Sequence, residues 1–253
     1  ATYVNHALHA AVTGGRRFSS DFPGVIARLL GDVKGEDMLT LFTAGTCGNV
    51  NHLNVGSKER RSGFREANRI GTILAAEVLK TYDRMEPVED GPLQVRHEIV
   101  KLPLFEITGE DVRKARAVIA DFGKPDGPGT RPLADAFRGL DVAERNGKPI
   151  EKEVQVITLG DQVAWISLPG EIFVELGLLI KEASPFPYTI VAELANGWVS
   201  YVPDRKAYPE GSYEVMSARC APGCGEKMVD AAVRMLIEMH DRTQPNQGFS
   251  FER

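Results

Sequence analysis

A single-domain, mixed α/β fold with a mixed β-sheet flanked by helices is predicted by three features of this 253-residue sequence. Short apolar runs of strand length are interleaved with longer stretches of helical periodicity. Glycine and proline clusters punctuate the boundaries between them. No linker is long enough to divide the chain, so residues 1–253 read as one domain. With 43% hydrophobic and 26% charged residues, the composition is that of a globular protein with enough apolar material for a core. Collagenous, disordered and small disulfide-stapled classes are thereby excluded.

In chain order, Tyr3 to Val12 is strand-like, and Gly14-Gly15 turns it toward Ser20-Asp21-Phe22-Pro23, a helix start with proline near the first turn. A short helix through Val25, Leu29 and Leu30 follows. Met38 to Thr43 reads as a buried strand that ends in the glycine-bounded loop Ala44 to Gly48. Ile70, Ile73, Leu74 and Val78 recur at the spacing of an amphipathic helix within Ser57 to Tyr82. Gln94 to Leu104 is a strand closed by Pro103, and Thr108-Gly109-Glu110-Asp111 is a capping box opening a helix through Val112 and Ile119. Lys124 to Pro132, rich in glycine and proline, is expected to be an exposed loop. Val154 to Leu159 and Val163 to Ser167 form a hairpin about Gly160-Asp161-Gln162, after which Leu168-Pro169-Gly170 leads to a helix from Glu171 to Ala183. Tyr188 to Leu194 is a further strand. The last helix presents Met228, Ala232, Leu236 and Met239 on one face.

Charge and cysteine usage narrow the functional classes. Thirty lysines and arginines against 35 acidic residues leave a formal charge of −5, which supplies no basic field for nucleic acid. Val163 to Leu168 and Ile172 to Ile180 fall well short of the ~20 apolar residues of a transmembrane helix. Three cysteines cannot all pair within one chain, and Cys47, Cys220 and Cys224 lack Cys-x-x-Cys spacing. The sequence starts at Ala1 without an initiating methionine or apolar leader, which raises the expectation of a segment removed upstream.

Polar residues gather at strand ends or tight loops in four stretches: Asn5 to His9, Cys47 to His52, Leu168 to Glu171, and Asn196 through Tyr213. Their imidazole, carboxylate and phenol groups suit zinc, although no His-Glu-x-x-His helix is present. Taken singly they have other readings. His9 fits equally a hydrogen-bonded core histidine, and in a continuous strand His6 and His9 would face opposite ways. Glu171 suits the first turn of a helix, where it would complement the dipole. Tyr201 and Tyr213 suit half-buried strand positions, and Cys220 and Cys224 the flanks of a tight turn.

Together, the order and spacing of these stretches resemble the catalytic domain of neutral, non-lysosomal ceramidases, zinc-dependent amidases, over nearly the whole chain. Asn5-His6-Ala7-Leu8-His9 followed by Ser20-Asp21-Phe22-Pro23-Gly24 resembles the family's Asn-x-x-x-His element and implies that His9 is a zinc ligand. Pro169-Gly170-Glu171 resembles the Pro-Gly-Glu element, implying Glu171 as a carboxylate ligand. Asn196-Gly197-Trp198-Val199-Ser200-Tyr201 resembles Asn-Gly-x-x-x-Tyr, implying Tyr201 as a third ligand. Tyr213-Glu214 falls where the family has a substrate-side tyrosine, and Arg205 and Tyr208 between them also look familial. The family's Gly-Asp-Val-Ser-Pro loop is replaced by Gly48-Asn49-Val50-Asn51-His52, so the serine at the scissile amide becomes Asn51. A serine nucleophile is then excluded, and Asn51 and His52 become the candidates for hydrogen bonding and proton transfer.

The resemblance implies a zinc-dependent hydrolase that cleaves an N-acyl bond through metal-activated water, with a small-molecule or lipid substrate and a secreted or periplasmic location. His9, Glu171 and Tyr201 would hold zinc, while Tyr213, Asn51 and His52 would be catalytic. Two alternatives stay open: a non-catalytic ligand-binding protein on the same scaffold, and a metal-dependent hydrolase of another acyl substrate. The family's upstream His-x-His element and C-terminal immunoglobulin-like domain have no counterpart, and neither His97 nor His240 has a second histidine two positions away. The expectation is that the domain is N-terminally incomplete and that a separate N-terminal chain or a homo-oligomer completes the site.

Overall fold

Parallel pairing of two strands far apart in sequence organises the first third of the computed structural model, which describes residues 1–54, 56–59 and 61–243. Strand β1 (Thr2–His6) lies beside β2 (Thr40–Ala44), with Thr2 opposite Thr40 and His6 opposite Ala44. A parallel pair needs a crossover, which helix α1 (Asp21–Lys34) supplies. Asp21 fixes where that helix begins: its carboxylate accepts hydrogen bonds from the Thr13 amide at 2.7 Å, the Thr13 hydroxyl at 2.8 Å and the Phe22 amide at 2.8 Å. Helix α2 (Phe64–Tyr82) packs on α1, and Phe22, Ile26, Leu30, Ala67, Ile70 and Ala75 form a first apolar core with Leu8 and Val12. Gly71 permits this approach, since a Cβ there would lie 2.5 Å from Val25 Cβ and 2.8 Å from the Phe22 carbonyl oxygen.

The second core is built on a four-stranded sheet in the order β3-β4-β5-β7. Strands β3 (Leu93–Leu102), β4 (Ile150–Leu159) and β5 (Val163–Ser167) are antiparallel neighbours, and the hairpin joining β4 and β5 turns at Gly160-Asp161-Gln162. The stretch between β3 and β4 holds helices α3 (Gly109–Ala120) and α4 (Thr130–Glu144), which pack chiefly on each other. The capping box is present: the Thr108 hydroxyl accepts from the Asp111 amide, and the Asp111 carboxylate accepts from the Thr108 amide at 2.9 Å. After β5 the chain forms the two-residue strand β6 (Glu171–Ile172), helix α5 (Val174–Ala183) and β7 (Tyr188–Ala192), which pairs parallel to β5. Strand β8 (Tyr201–Val202) pairs with β6. A 3-10 turn at Tyr208–Glu210 and the short helix α6 (Ser212–Ser217) lead to α7 (Cys224–Thr243). As the period predicts, Met228, Ala232, Leu236 and Met239 of α7 are buried, against the sheet and α5. No helix among the described residues is long and apolar enough to cross a membrane.

The mixed α/β class holds, with local differences from the sequence reading. Among the described residues the strands form three hydrogen-bonded sheets, two of them two-stranded, rather than one. The exposed loop at Lys124 to Pro132 is cut short by α4, which begins at Thr130. Pro132 fits in its first turn because amides there have no carbonyl partner within the helix. The helix expected from Glu171 starts instead at Val174, since the Glu171 and Phe173 amides donate to the Ser200 and Val202 carbonyls at 3.0 and 3.1 Å and hold the chain extended.

Two glycine substitutions test the packing. In α1, Gly31 faces open space, so Gly31→Ala should stabilise the protein by about 0.5–1 kcal/mol through helix propensity. Gly71→Ala should instead cost about 1–3 kcal/mol, because α1 and α2 must separate to admit the methyl group. Urea denaturation of the two variants should give shifts of opposite sign.

Candidate functional site

Two parallel strand pairs, β1–β2 and β5–β7, bring the polar loops together. The carboxyl ends of β1 and β2 meet those of β5 and β7: the Gly45 amide donates to the His6 carbonyl at 3.0 Å, Glu193 to Ala44 at 3.0 Å, and Leu168 to Ala192 at 2.9 Å. Asn5 ties the two sheets together, its Nδ2 donating to Thr43 Oγ1 at 3.0 Å and to the Val191 carbonyl at 3.1 Å. Loops leaving the carboxyl ends of parallel strands form the usual ligand crevice of such folds. Here those loops carry His9, Cys47, Glu171, Glu193, Trp198 and Tyr201.

The two N-terminal histidines separate. Strand β1 ends at His6, whose ring meets Phe22 edge-on at 6.3 Å in the first core, and burial lowers its pKa. The chain then turns, with the Leu8 amide donating to the His6 carbonyl at 3.2 Å, so the alternation expected of a continuous strand does not govern His9. His9 Nε2 lies 3.4 Å from the Gly48 carbonyl oxygen. Gly48 is where the loop after β2 touches β6: its amide donates to the Ile172 carbonyl at 2.8 Å, and a Cβ there would lie 2.5 Å from the Glu171 carbonyl oxygen.

Glu193 binds the loops into one unit. Its side chain is buried at 3% exposure; Oε2 accepts from the Cys47 amide at 2.9 Å and the Ile172 amide at 2.8 Å, while Oε1 accepts from the Cys47 thiol at 2.9 Å. Among the described residues, His9, Cys47 and Glu193 form a group whose ligand atoms all lie within 4.8 Å of one another. Burial raises the pKa of Glu193 despite the hydrogen bonds that favour its charged form. Burial also pushes the Cys47 thiol well up, helped by Glu193 and Glu171. Sequence reading weighed Cys47 for disulfides and Cys-x-x-Cys sites and placed it in a polar stretch without naming it as a ligand, and it passed over Glu193; an acid at the end of the apolar run Tyr188 to Ala192 was the available signal.

Glu171 and Tyr201 stand opposite each other in the β6–β8 pair. The Tyr201 phenol faces the Glu171 carboxylate, and burial followed by that acid pushes the phenol pKa well up. Trp198 Nε1 donates to Glu171 Oε1 at 3.4 Å. The rings of His9 and Tyr201 meet edge-on at 6.2 Å, and those of Tyr201 and Tyr213 at 5.8 Å, so the three form a row running outward to the half-exposed Tyr213 on α6. Leu194, Asn196 and Ser200 in the loop between β7 and β8 have φ of 52°, 60° and 82°, left-handed values uncommon outside glycine and concentrated in this one loop.

Asn51 and His52 stand on the exposed loop beyond Cys47. Asn51 Oδ1 accepts from the Leu53 amide at 3.2 Å, which leaves its Nδ2 to donate. His52 Nε2 lies 3.0 Å from the Arg61 carbonyl oxygen, so Nε2 carries the proton and the buried, partnerless Nδ1 is an acceptor. The residue of this loop that reaches α5 is Asn49, whose Oδ1 accepts from the Val174 amide at 2.8 Å and whose Nδ2 donates to Glu175 at 2.8 Å. All three cysteines are free thiols and buried.

With this arrangement in view, comparison with solved structures is informative. The fold is similar to that of neutral ceramidase. Neutral ceramidase from Pseudomonas aeruginosa superposes with a TM-score of 0.65 over 93% of this chain, at 18% identity. A ceramidase complexed with C2 does so with the same TM-score and coverage at 16% identity. This chain spans 43% and 45% of those two proteins, less than half of either ceramidase. No family model and no curated protein matches the sequence.

The Glu193 clasp makes two linked predictions. Glu193→Ala would leave the Cys47 and Ile172 amides without an acceptor and should cost about 2–6 kcal/mol in urea denaturation, at about 1–3 kcal/mol per orphaned donor. Native wild-type protein should show no thiol reactive toward Ellman's reagent and three after unfolding, whereas the alanine variant should expose Cys47 while still folded.

Proposed function

We propose that this protein is a zinc-dependent hydrolase of the ceramidase kind that cleaves an amide bond in an N-acyl substrate. The observation that carries the reading is the convergence of His9 with Glu171, Tyr201, Cys47 and Glu193 at the ends of parallel strands drawn from both cores. The donor set fits the metal. Imidazole nitrogen, carboxylate and phenol oxygen and a thiol are all zinc ligands or ready to become so, and protons held on Cys47 and Tyr201 by burial and nearby acids are those that a divalent cation releases. His9, Glu171 and Tyr201 are assigned as ligands. Glu193 is the support behind them, because its oxygens already serve two backbone amides and a thiol, whereas Glu171 and Tyr201 are only partly buried.

Zinc so held supplies Lewis acidity that activates water and polarises an acyl oxygen. The chain's own groups do the rest. Trp198 Nε1 orients Glu171. Tyr213, at the outer end of the ring row, donates its hydroxyl to the oxygen that gains charge as the carbonyl becomes tetrahedral. Asn51 Nδ2 is a second donor on the loop beyond Cys47, whereas His52, whose Nε2 is held at the Arg61 carbonyl and whose Nδ1 is enclosed by protein, is not assigned the proton transfer.

Three measurements test this. Purified protein should contain zinc and hydrolyse acylated amines in a chelator-sensitive way; protein with neither property would overturn the reading. Glu171→Gln should lose both metal and activity, since an amide oxygen is a much poorer donor than a carboxylate. Tyr213→Phe should keep its zinc yet turn over about 10²-fold more slowly, by analogy with the loss of one preorganised donor. Unchanged turnover would remove Tyr213 from the mechanism.

A further inference from the structure

Beside the outer end of the ring row lies a cluster of arginines that the hydrolytic reading does not use. Arg131 and Arg138 of α4 and Arg145 at its C-cap recur every seven residues, two helical turns apart and therefore on one face. Arg219, just after α6, joins them. These four guanidinium groups share two carboxylates. Asp135 pairs with Arg131 at 3.2 Å and Arg138 at 3.1 Å, while Asp141 pairs with Arg219 at 2.8 Å and Arg145 at 3.8 Å. Two positive charges are left in excess.

Their donors are also incompletely used. Nη2 of Arg131 and the Nε atoms of Arg138 and Arg145 are buried and have no hydrogen-bond partner. A guanidinium carries five N–H donors and no acceptor, so these three atoms lack the acceptor that each could use. The Arg138 pKa is lowered, chiefly by burial, with the neighbouring Arg131 and Arg219 adding repulsion to the attraction of Asp135. A chain that concentrates like charge in this way gains when an anion enters.

The cluster touches the candidate catalytic groups. Arg131 Cζ sits 4.5 Å from the centre of the Tyr213 ring, and Arg219 Cζ sits 5.2 Å from that of Trp198. Trp198 in turn donates to Glu171. A charge bound by these arginines would therefore lie on the substrate side of Tyr213 and Trp198, rather than in the metal shell.

We propose that Arg131, Arg138 and Arg219 form a subsite for an oxyanion, a carboxylate or phosphate, carried by the substrate close to its scissile amide. Because a hydrocarbon acyl chain has no charge, the anion belongs to the amine half, and the preferred substrates are N-acylated amines bearing an acidic group. This rests on the hydrolytic reading above and adds the class of leaving group. Guanidinium forks match the paired oxygens of either acid, and stacking on Tyr213 and Trp198 holds two of the forks in orientation.

The test compares N-lauroylglycine, N-lauroylphosphoethanolamine and the neutral N-lauroylethanolamine, which share one acyl chain. Binding is measured by calorimetry with zinc chelated, and kcat/KM in its presence. The acidic probes should bind about tenfold or more tightly than the neutral one, the scale of a charge-assisted hydrogen bond. Whichever acidic probe binds better identifies the group read. In Arg138→Gln and Arg219→Gln the preference should fall by about tenfold, through KM rather than kcat, and Arg131→Gln replaces either variant if its melting curve shows it unfolded. Equal affinity for acidic and neutral probes, or a preference unchanged in folded variants, would overturn the subsite. If no probe is hydrolysed but the preference and its loss in the variants are seen, the hydrolytic reading fails and the anion subsite stands.

Discussion

One buried carboxylate holds the site together. Glu193 comes from the end of β7, yet what it binds is the backbone of two other loops, at Cys47 after β2 and Ile172 in β6. Those loops belong to different cores, so the same hydrogen bonds that satisfy Glu193 also join the two parts of the molecule at the point where the polar side chains gather. Burying an acid is costly unless it is fully hydrogen-bonded, and its raised pKa shows how much burial opposes the charge. Two amide donors and a thiol offset that cost, and the geometry that satisfies them leaves little freedom in the positions of Cys47 and Glu171.

The other constraints follow from this clasp. With Ile172 pinned, Glu171 lies opposite Tyr201 in a two-residue strand pair instead of in the first turn of a helix. With Cys47 pinned, Gly48 abuts the Glu171 backbone, and only a residue without a Cβ fits there. The left-handed residues between β7 and β8 place Trp198 and Tyr201 against Glu171 from the other side. Rigid strands thus bring these polar residues close together, and short loops carry the remaining distance.

Much of this architecture is legible in the sequence where the cause is local. The capping box at Thr108, the β4–β5 hairpin and the apolar face of α7 depend on neighbours a few residues away, and each is found where it is expected. His9, Glu171, Tyr201 and Tyr213 were picked out by motif, and the structure gathers them into one region. What the sequence does not disclose is non-local. Glu193 acquires its importance from amides 146 and 21 positions away, and no spacing rule connects them. Glu171 was open to a helical reading because the carbonyls that hold it extended lie on a strand reached only after another helix and another strand. The strand that seemed to run on past His6 ends there for a similar reason: its partner β2 stops at Ala44.

Helices α3 and α4 occupy the connection between two strands that are already antiparallel neighbours, where a short turn would have sufficed to join β3 to β4. The sheet does not need them, and they pack mostly on each other. Yet α4 brings Arg131 to the face of Tyr213. The part of the chain proposed to read the departing half of a substrate is therefore an excursion from the scaffold, while the groups proposed to hold the metal grow out of the scaffold itself. Such a division lets the helical excursion be lengthened, recharged or exchanged with little disturbance to the strand ends, so that close relatives in fold can diverge in what they act on while the bond-breaking apparatus stays as it is.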